Sequence, residues 1–90
     1  MTQDEAPQAL AEIDFATFIL SMGSSVLVYL GEMQGPDGKG ERDLPLAKQT
    51  IDLLALLLEK TKGNLDEAED HLLRSLLYDL RIKFVDATKR

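Results

Sequence analysis

The chain has no cysteine, no tryptophan, one histidine, and fewer bases than acids: 10 Lys and Arg against 16 Asp and Glu in 90 residues. Each shortage removes a class of chemistry. Without cysteine there is no disulfide framework, thiolate metal site or cysteine nucleophile, a composition compatible with a reducing cytoplasm. The formal charge of -6 opposes nonspecific attraction to nucleic-acid phosphates and to anionic membrane surfaces, so partners are expected to be proteins. The opening Met1-Thr2-Gln3-Asp4-Glu5 lacks the basic region that precedes a secretory apolar run, so export is not expected and a cytoplasmic location is. Aromatic residues make up only 6% against 44% hydrophobic, which implies a leucine-rich aliphatic core. At 10.0 kDa the chain is one domain that buries a modest share of its surface.

The most informative absence is local. No charged residue lies between Asp14 and Glu32. Residues 1–13 form an acidic lead with Pro7, too polar and short to pack, and are expected to be a disordered tail ahead of a single helical domain at 14–88. Asp14 suits the N-cap of a first helix that begins with Phe15 and is expected to end near Glu32 to Gln34. The Gly35-Pro36-Asp37-Gly38-Lys39-Gly40 run then supplies turn residues. A second helix is expected from about Pro45, with Asp43 or Leu44 at its boundary, to about Lys62, where Gly63 suits a left-handed stop. Asn64 is the expected cap of a third helix, whose first turns carry Asp66, Glu67, Glu69 and Asp70 and which continues to about Ala87. No alternation of strand period appears, and the fold class is all-α with three helices.

The helix faces differ in kind. On the second helix Leu46, Ala47, Thr50, Ile51, Leu53, Leu54, Leu57, Leu58 and Thr61 share one arc against a charged opposite side, where Leu56 stands alone. On the third, Leu65, Leu72, Leu73, Leu76, Leu77, Leu80, Phe84 and Ala87 do the same. Joined by the short Gly63-Asn64 turn, these arcs are expected to face one another as an antiparallel hairpin. On the first helix Phe15, Phe18, Ile19, Met22, Val26, Tyr29, Leu30 and Met33 form a core face that Ala16, Leu20, Gly23 and Leu27 widen to an arc of roughly 200°. Two helices cannot cover that arc. The remaining strip of Thr17, Ser21, Ser24, Val28 and Gly31 has the four, three, four, three spacing of a helix-pairing seam built from small side chains. Homo-oligomerisation through helix one, with a dimer as the simplest form, is therefore expected to complete the fold. The alternative is a monomeric bundle whose hydroxyl groups meet water. A membrane-spanning role is disfavoured because the uncharged run sits at the low end of the roughly 17 to 25 residues needed to cross a bilayer. Tyr78, Ile82 and Val85, bordered by Arg74 and Arg81, form a second candidate interface on the outer side of helix three.

Catalytic signals are missing. His71 has Glu67 one turn before it and Asp70 beside it, but acids in a first helical turn are explained by the dipole, and neither metal nor cofactor is expected. Gly38-Lys39 fails the phosphate-loop pattern at both ends, with Met33 and Gly40 where a glycine and a hydroxyl residue are required. Ser21, Ser24 and Ser25 lack a credible base. The acidic start of helix three would meet phosphates badly, so a nucleic-acid-binding helix-turn-helix is not expected.

Taken in order, Phe15-Ala16-Thr17-Phe18-Ile19-Leu20-Ser21, Leu44-Pro45-Leu46-Ala47-Lys48-Gln49-Thr50-Ile51-Asp52, Lys60-Thr61-Lys62-Gly63-Asn64-Leu65 and Leu76-Leu77-Tyr78-Asp79-Leu80-Arg81 resemble the small bacterial domain of unknown function 1844. The resemblance spans about Phe15 to Val85 and implies a bacterial, cytoplasmic helical domain. Among the matching positions Lys48, Gln49, Asp52, Tyr78, Asp79 and Arg81 are polar residues that a core does not require, and they form a candidate polar site. Surface pairing at i, i+4, Lys48 with Asp52 and Asp79 with Lys83, is the competing account. The leading expectation is a noncatalytic, self-associating structural or protein-interaction module, its interface formed by Thr17, Leu20, Ser21, Ser24, Leu27, Val28, Tyr78, Ile82 and Val85. The alternative is a small-molecule-binding or regulatory subunit that uses the polar residues of helices two and three.

Overall fold

The computed structural model describes residues 13–35 and 42–89, which form α1 (Phe15–Tyr29), α2 (Leu44–Lys60) and α3 (Glu67–Thr88) and contain no strand. The expected tail falls outside the described residues except for Ile13, which is exposed, and so does most of the glycine-rich turn.

Asp14 caps α1 from an extended backbone, its Oδ1 accepting the Thr17 amide at 2.7 Å. The helix stops at Tyr29, several residues before the expected end. Gly31 adopts φ 81°, its amide donates to the Val28 carbonyl at 2.9 Å, and the Glu32 amide reaches back to the Leu27 carbonyl at 2.9 Å. This paired closure satisfies carbonyls that the helix end leaves open. Gly31 therefore terminates α1 and is not a rung of the seam. Leu30 and Met33 extend the apolar periodicity past the stop, which is why the pattern suggests a longer helix.

Asp43 caps α2 through the Leu46 amide at 3.0 Å, with Pro45 in the first turn, where a missing amide costs no bond. Beyond Lys60, the Thr61 hydroxyl donates to the Leu57 carbonyl at 2.7 Å, and Gly63 takes φ 85°. The cap of α3 is Asp66 rather than Asn64. Asp66 Oδ1 accepts the Glu69 amide at 2.8 Å while Glu69 Oε1 accepts the Asp66 amide at 3.0 Å. The Asn64 amide instead bonds the Thr61 carbonyl at 2.9 Å within the turn. A charged cap with a reciprocal glutamate outcompetes a neutral cap two residues earlier.

Three links set the topology. The Asp43 amide donates to the Tyr29 carbonyl at 2.7 Å, Arg42 Nη2 donates to the Ala87 carbonyl at 2.7 Å, and Lys83 Nζ lies 3.9 Å from Glu32 Oε1. The end of α1, the start of α2 and the end of α3 thus lie together. Helices α2 and α3 form the expected antiparallel hairpin, α1 runs antiparallel to α2 and parallel to α3, and all three pack pairwise. Their shared core holds Ile19, Val26, Leu30, Ala47, Ile51, Leu54, Leu73, Leu77, Leu80 and Ala87. Burying each leucine- or isoleucine-sized side chain contributes about 1.5–3 kcal/mol against chain entropy. Thr50, the one buried polar residue among those described, donates its hydroxyl to the Leu46 carbonyl at 2.9 Å and so leaves no unpaired donor.

Candidate functional site

The axis of α1 points its buried stripe, Ile19, Gly23 and Val26, between the other two helices. Thr17, Ser21 and Ser24 consequently lie exposed on the outward side, Leu20 is also exposed, and Leu27 and Val28 are half-buried. The Ser25 hydroxyl donates to the Ser21 carbonyl at 3.3 Å, so one polar group of this face is turned into the helix. Asp14, at the foot of the face, has its carboxyl held below its ordinary 3.8 first by the Thr17 amide and then by the Thr17 hydroxyl.

Phe18 and Leu53, expected in the core, instead sit at its edge and are half exposed, at 48% and 47%. Leu56, expected to stand alone, is 52% exposed and joins them. Together with Met22, Leu57 and Lys60 they line an apolar groove of about 310 Å³ between α1 and α2. The reason is rotational. A helical wheel places Leu53 within the apolar arc, but packing centres α2 on Ala47, Thr50, Ile51 and Leu54, leaving Leu53 at one margin with Leu56 beyond it. A wheel has no information about the neighbouring helix whose margin turns two edges into one groove. Two exposed leucines three residues apart were the available signal.

On α3, Tyr78, Ile82 and Val85 are exposed in a row and, with Arg81 and Asp86, line a shallow depression on the outer side. The candidate polar residues are brought together only in part. Lys48, Asp52 and Arg81 line one cleft of about 340 Å³ with Ile51, Phe84 and Val85. Tyr78 lies next to it and shares Arg81, whereas Gln49 and Asp79 are exposed and line neither hollow. Within the cleft Lys48 Nζ is bound to Asp52 Oδ2 at 2.9 Å, the expected i, i+4 pair. Both partners are mostly solvated, so the pair contributes little to stability.

A further hollow, about 570 Å³, lies at the α2 to α3 turn and includes Thr61, Lys62, Asp66, Asp70, His71 and Arg74. Arg74 Nε is bound to Asp70 Oδ2 at 2.8 Å and His71 Nε2 lies 3.5 Å from the Ser75 hydroxyl. Among the described residues no group of three or more His, Cys, Asp or Glu is placed to hold a metal ion, and no helix is long and apolar enough to cross a membrane.

These features define an all-α, three-helix domain whose described surface offers apolar faces and shallow clefts. Residues 12–86 match the family model described as Domain of unknown function (DUF1844), and the chain belongs to that family. No curated protein and no solved structure matches it.

Proposed function

We propose that the domain is a noncatalytic module that acts by associating with copies of itself or with another protein, chiefly through the outward face of α1. One observation carries this. The outward faces of α2 and α3 bear Lys48, Asp52, Glu59, Asp79, Arg81 and Lys83, whereas the exposed residues of α1, Thr17, Phe18, Leu20, Ser21 and Ser24, include no charge at all. A helix that meets only water gains from charged outward residues and has no use for exposed Phe and Leu on both flanks of a small-residue strip. The absence of cysteine is compatible with a reducing cytoplasm, and the resemblance to the family implies a bacterial one.

Light scattering at micromolar concentration tests it: more than one chain per particle is expected. Ser21→Glu should return the protein to single chains, because an unpaired charge in a buried seam costs far more than the contact gains. A wild-type chain that stays monomeric at tens of micromolar would remove the self-association.

A second function is favoured by the convergence of Lys48, Asp52 and Arg81 on one cleft, an arrangement suited to a small anionic or zwitterionic ligand. Amide chemical-shift changes confined to these residues on titration with small carboxylates would support it, and uniformly unmoved resonances would dispose of it.

A further inference from the structure

We infer that a second copy of this chain covers the groove between α1 and α2, with Phe18 of each copy seated against Leu53 and Leu56 of the other. The inference rests on the self-association proposed above and adds the strip of α2 that completes the interface.

Area is the first argument. Phe18, Leu53 and Leu56 are each about half exposed, and side chains of this size leave about 100 Å² apiece uncovered, about 300 Å² of large apolar surface in all. Met22 and Leu57 in the groove and the adjoining exposed strip of Thr17, Ser21 and Ser24 extend this face toward the roughly 800 Å² per partner of a standard interface. The rival face on α3 offers a similar three side chains, about 300 Å², but without an uncharged strip beside them, since Arg81 and Asp86 stand at its edge.

Charge is the second. Each copy carries -6, so two copies repel least where they meet on a face without acids, which keeps the like charges apart and screened by solvent. The groove has no acidic residue, and its single charged residue is Lys60, whose stem lies along apolar neighbours. The face on α3 is bordered by Arg81 and Asp86.

Symmetry is the third. A two-fold axis parallel to the helices keeps every side chain at its own height and exchanges left for right. Phe18 shares the groove with Leu53 and Leu56, so all three stand at one level within a chain, and the rotation lays Phe18 of one copy over the two leucines of the other. Around the new core α1 and α2 then alternate in direction, the arrangement of an antiparallel four-helix bundle, with helix dipoles opposed at every contact.

The test is light scattering on Leu56→Glu, with Val85→Glu as control, together with cross-linking in a chain that has no cysteine of its own. Leu56→Glu should weaken dimerisation at least tenfold with helicity kept, and Val85→Glu should leave it within twofold. Copies carrying Phe18→Cys mixed with copies carrying Leu56→Cys should yield a mixed covalent dimer under mild oxidation; Phe18→Cys mixed with Val85→Cys should not. A dimer indifferent to Leu56→Glu, or one that cross-links through position 85, overturns the inference and leaves self-association standing. A wild-type monomer at every concentration overturns both. The mixed cross-link decides the matter if Leu56→Glu fails to fold.

Discussion

Gly23 of α1 lies directly against Leu76 of α3: a methyl group built on the glycine would sit 3.0 Å from Leu76 Cδ1 and 3.2 Å from Cδ2. A glycine inside a helix costs about 1 kcal/mol relative to alanine, so its presence here is explained by the approach of the second helix. Gly23→Ala should gain helix propensity and lose it again in displacing Leu76, for a net change below about 1 kcal/mol. In a Leu76→Ala background the clash is gone, and the same substitution should stabilise by about 0.5–1 kcal/mol. Urea denaturation of the four proteins checks the coupling. Equal effects of Gly23→Ala in both backgrounds would show that the two side chains do not touch.

The start of α3 offers a choice between two caps. Asp66→Ala removes the side chain that accepts the Glu69 amide, and should cost about 0.5–2 kcal/mol. Asn64→Ala, outside the helix with its amide in the turn, should change stability by less than about 0.5 kcal/mol. Thermal melts that rank the two substitutions the other way would restore Asn64 as the cap.

Acid should act on the foot of α1. The Asp14 carboxyl is held below its ordinary 3.8 by the Thr17 amide and hydroxyl, so it binds protons less readily folded than unfolded. Its contribution to stability is present above pH 3.8 and is lost as the pH falls through the lowered native value. Asp14→Asn keeps a capping oxygen but cannot titrate, and should flatten this part of the acid limb without changing stability much at neutral pH. Denaturation between pH 2 and 5, wild type against variant, reads the difference. Parallel curves would assign the acid sensitivity to other groups.

Helix existence, type and order were legible because the periodicity on α2 and α3 is strong and Asp14, Asp43 and Gly63 stand where caps and stops belong. What was not legible depended on choices between adjacent signals. Gly31 fitted two roles, a small rung of a seam and a left-handed stop, and only the backbone bonds from Gly31 and Glu32 distinguish them. Phe18 and Leu53 were misplaced, and the groove they form with the exposed Leu56 was missed, for a different reason: a sequence shows which residues share a helix face but not how far each helix is rotated against its neighbour. The candidate polar set divides for the same reason, with Lys48, Asp52 and Arg81 converging across the α2 to α3 contact while Gln49 and Asp79 point away from it.

The two left-handed glycines should respond alike. Nothing lies within 4 Å of a Cβ placed on Gly63, so Gly63→Ala meets only the strain of φ 85°, about 1–2 kcal/mol. Gly31→Ala at φ 81° should cost a similar amount. Asparagine at either position should recover part of the loss, because it tolerates this backbone region better than alanine does. Guanidinium midpoints of the four variants test the order, and an alanine variant as stable as wild type would mean that the turn relaxes out of the left-handed region.

Association and folding should be linked in this chain. A 90-residue domain that leaves Phe18, Leu20, Leu53 and Leu56 half exposed has little stability in reserve, and a partner that covers them binds the folded state alone. Such a partner stabilises by mass action, so the melting temperature should rise with protein concentration, each tenfold increase favouring the folded dimer by up to about 1.4 kcal/mol once dimers predominate. Ser21→Glu places a charge on the exposed side of α1, where a single chain tolerates it and a packed pair does not. The variant should therefore melt at the same temperature at every concentration, meeting the wild type at the dilute end and falling below it at the concentrated end. Differential scanning calorimetry from about 5 to 500 μM separates the cases, because a burial defect within one chain would lower the variant's melting temperature by the same amount throughout.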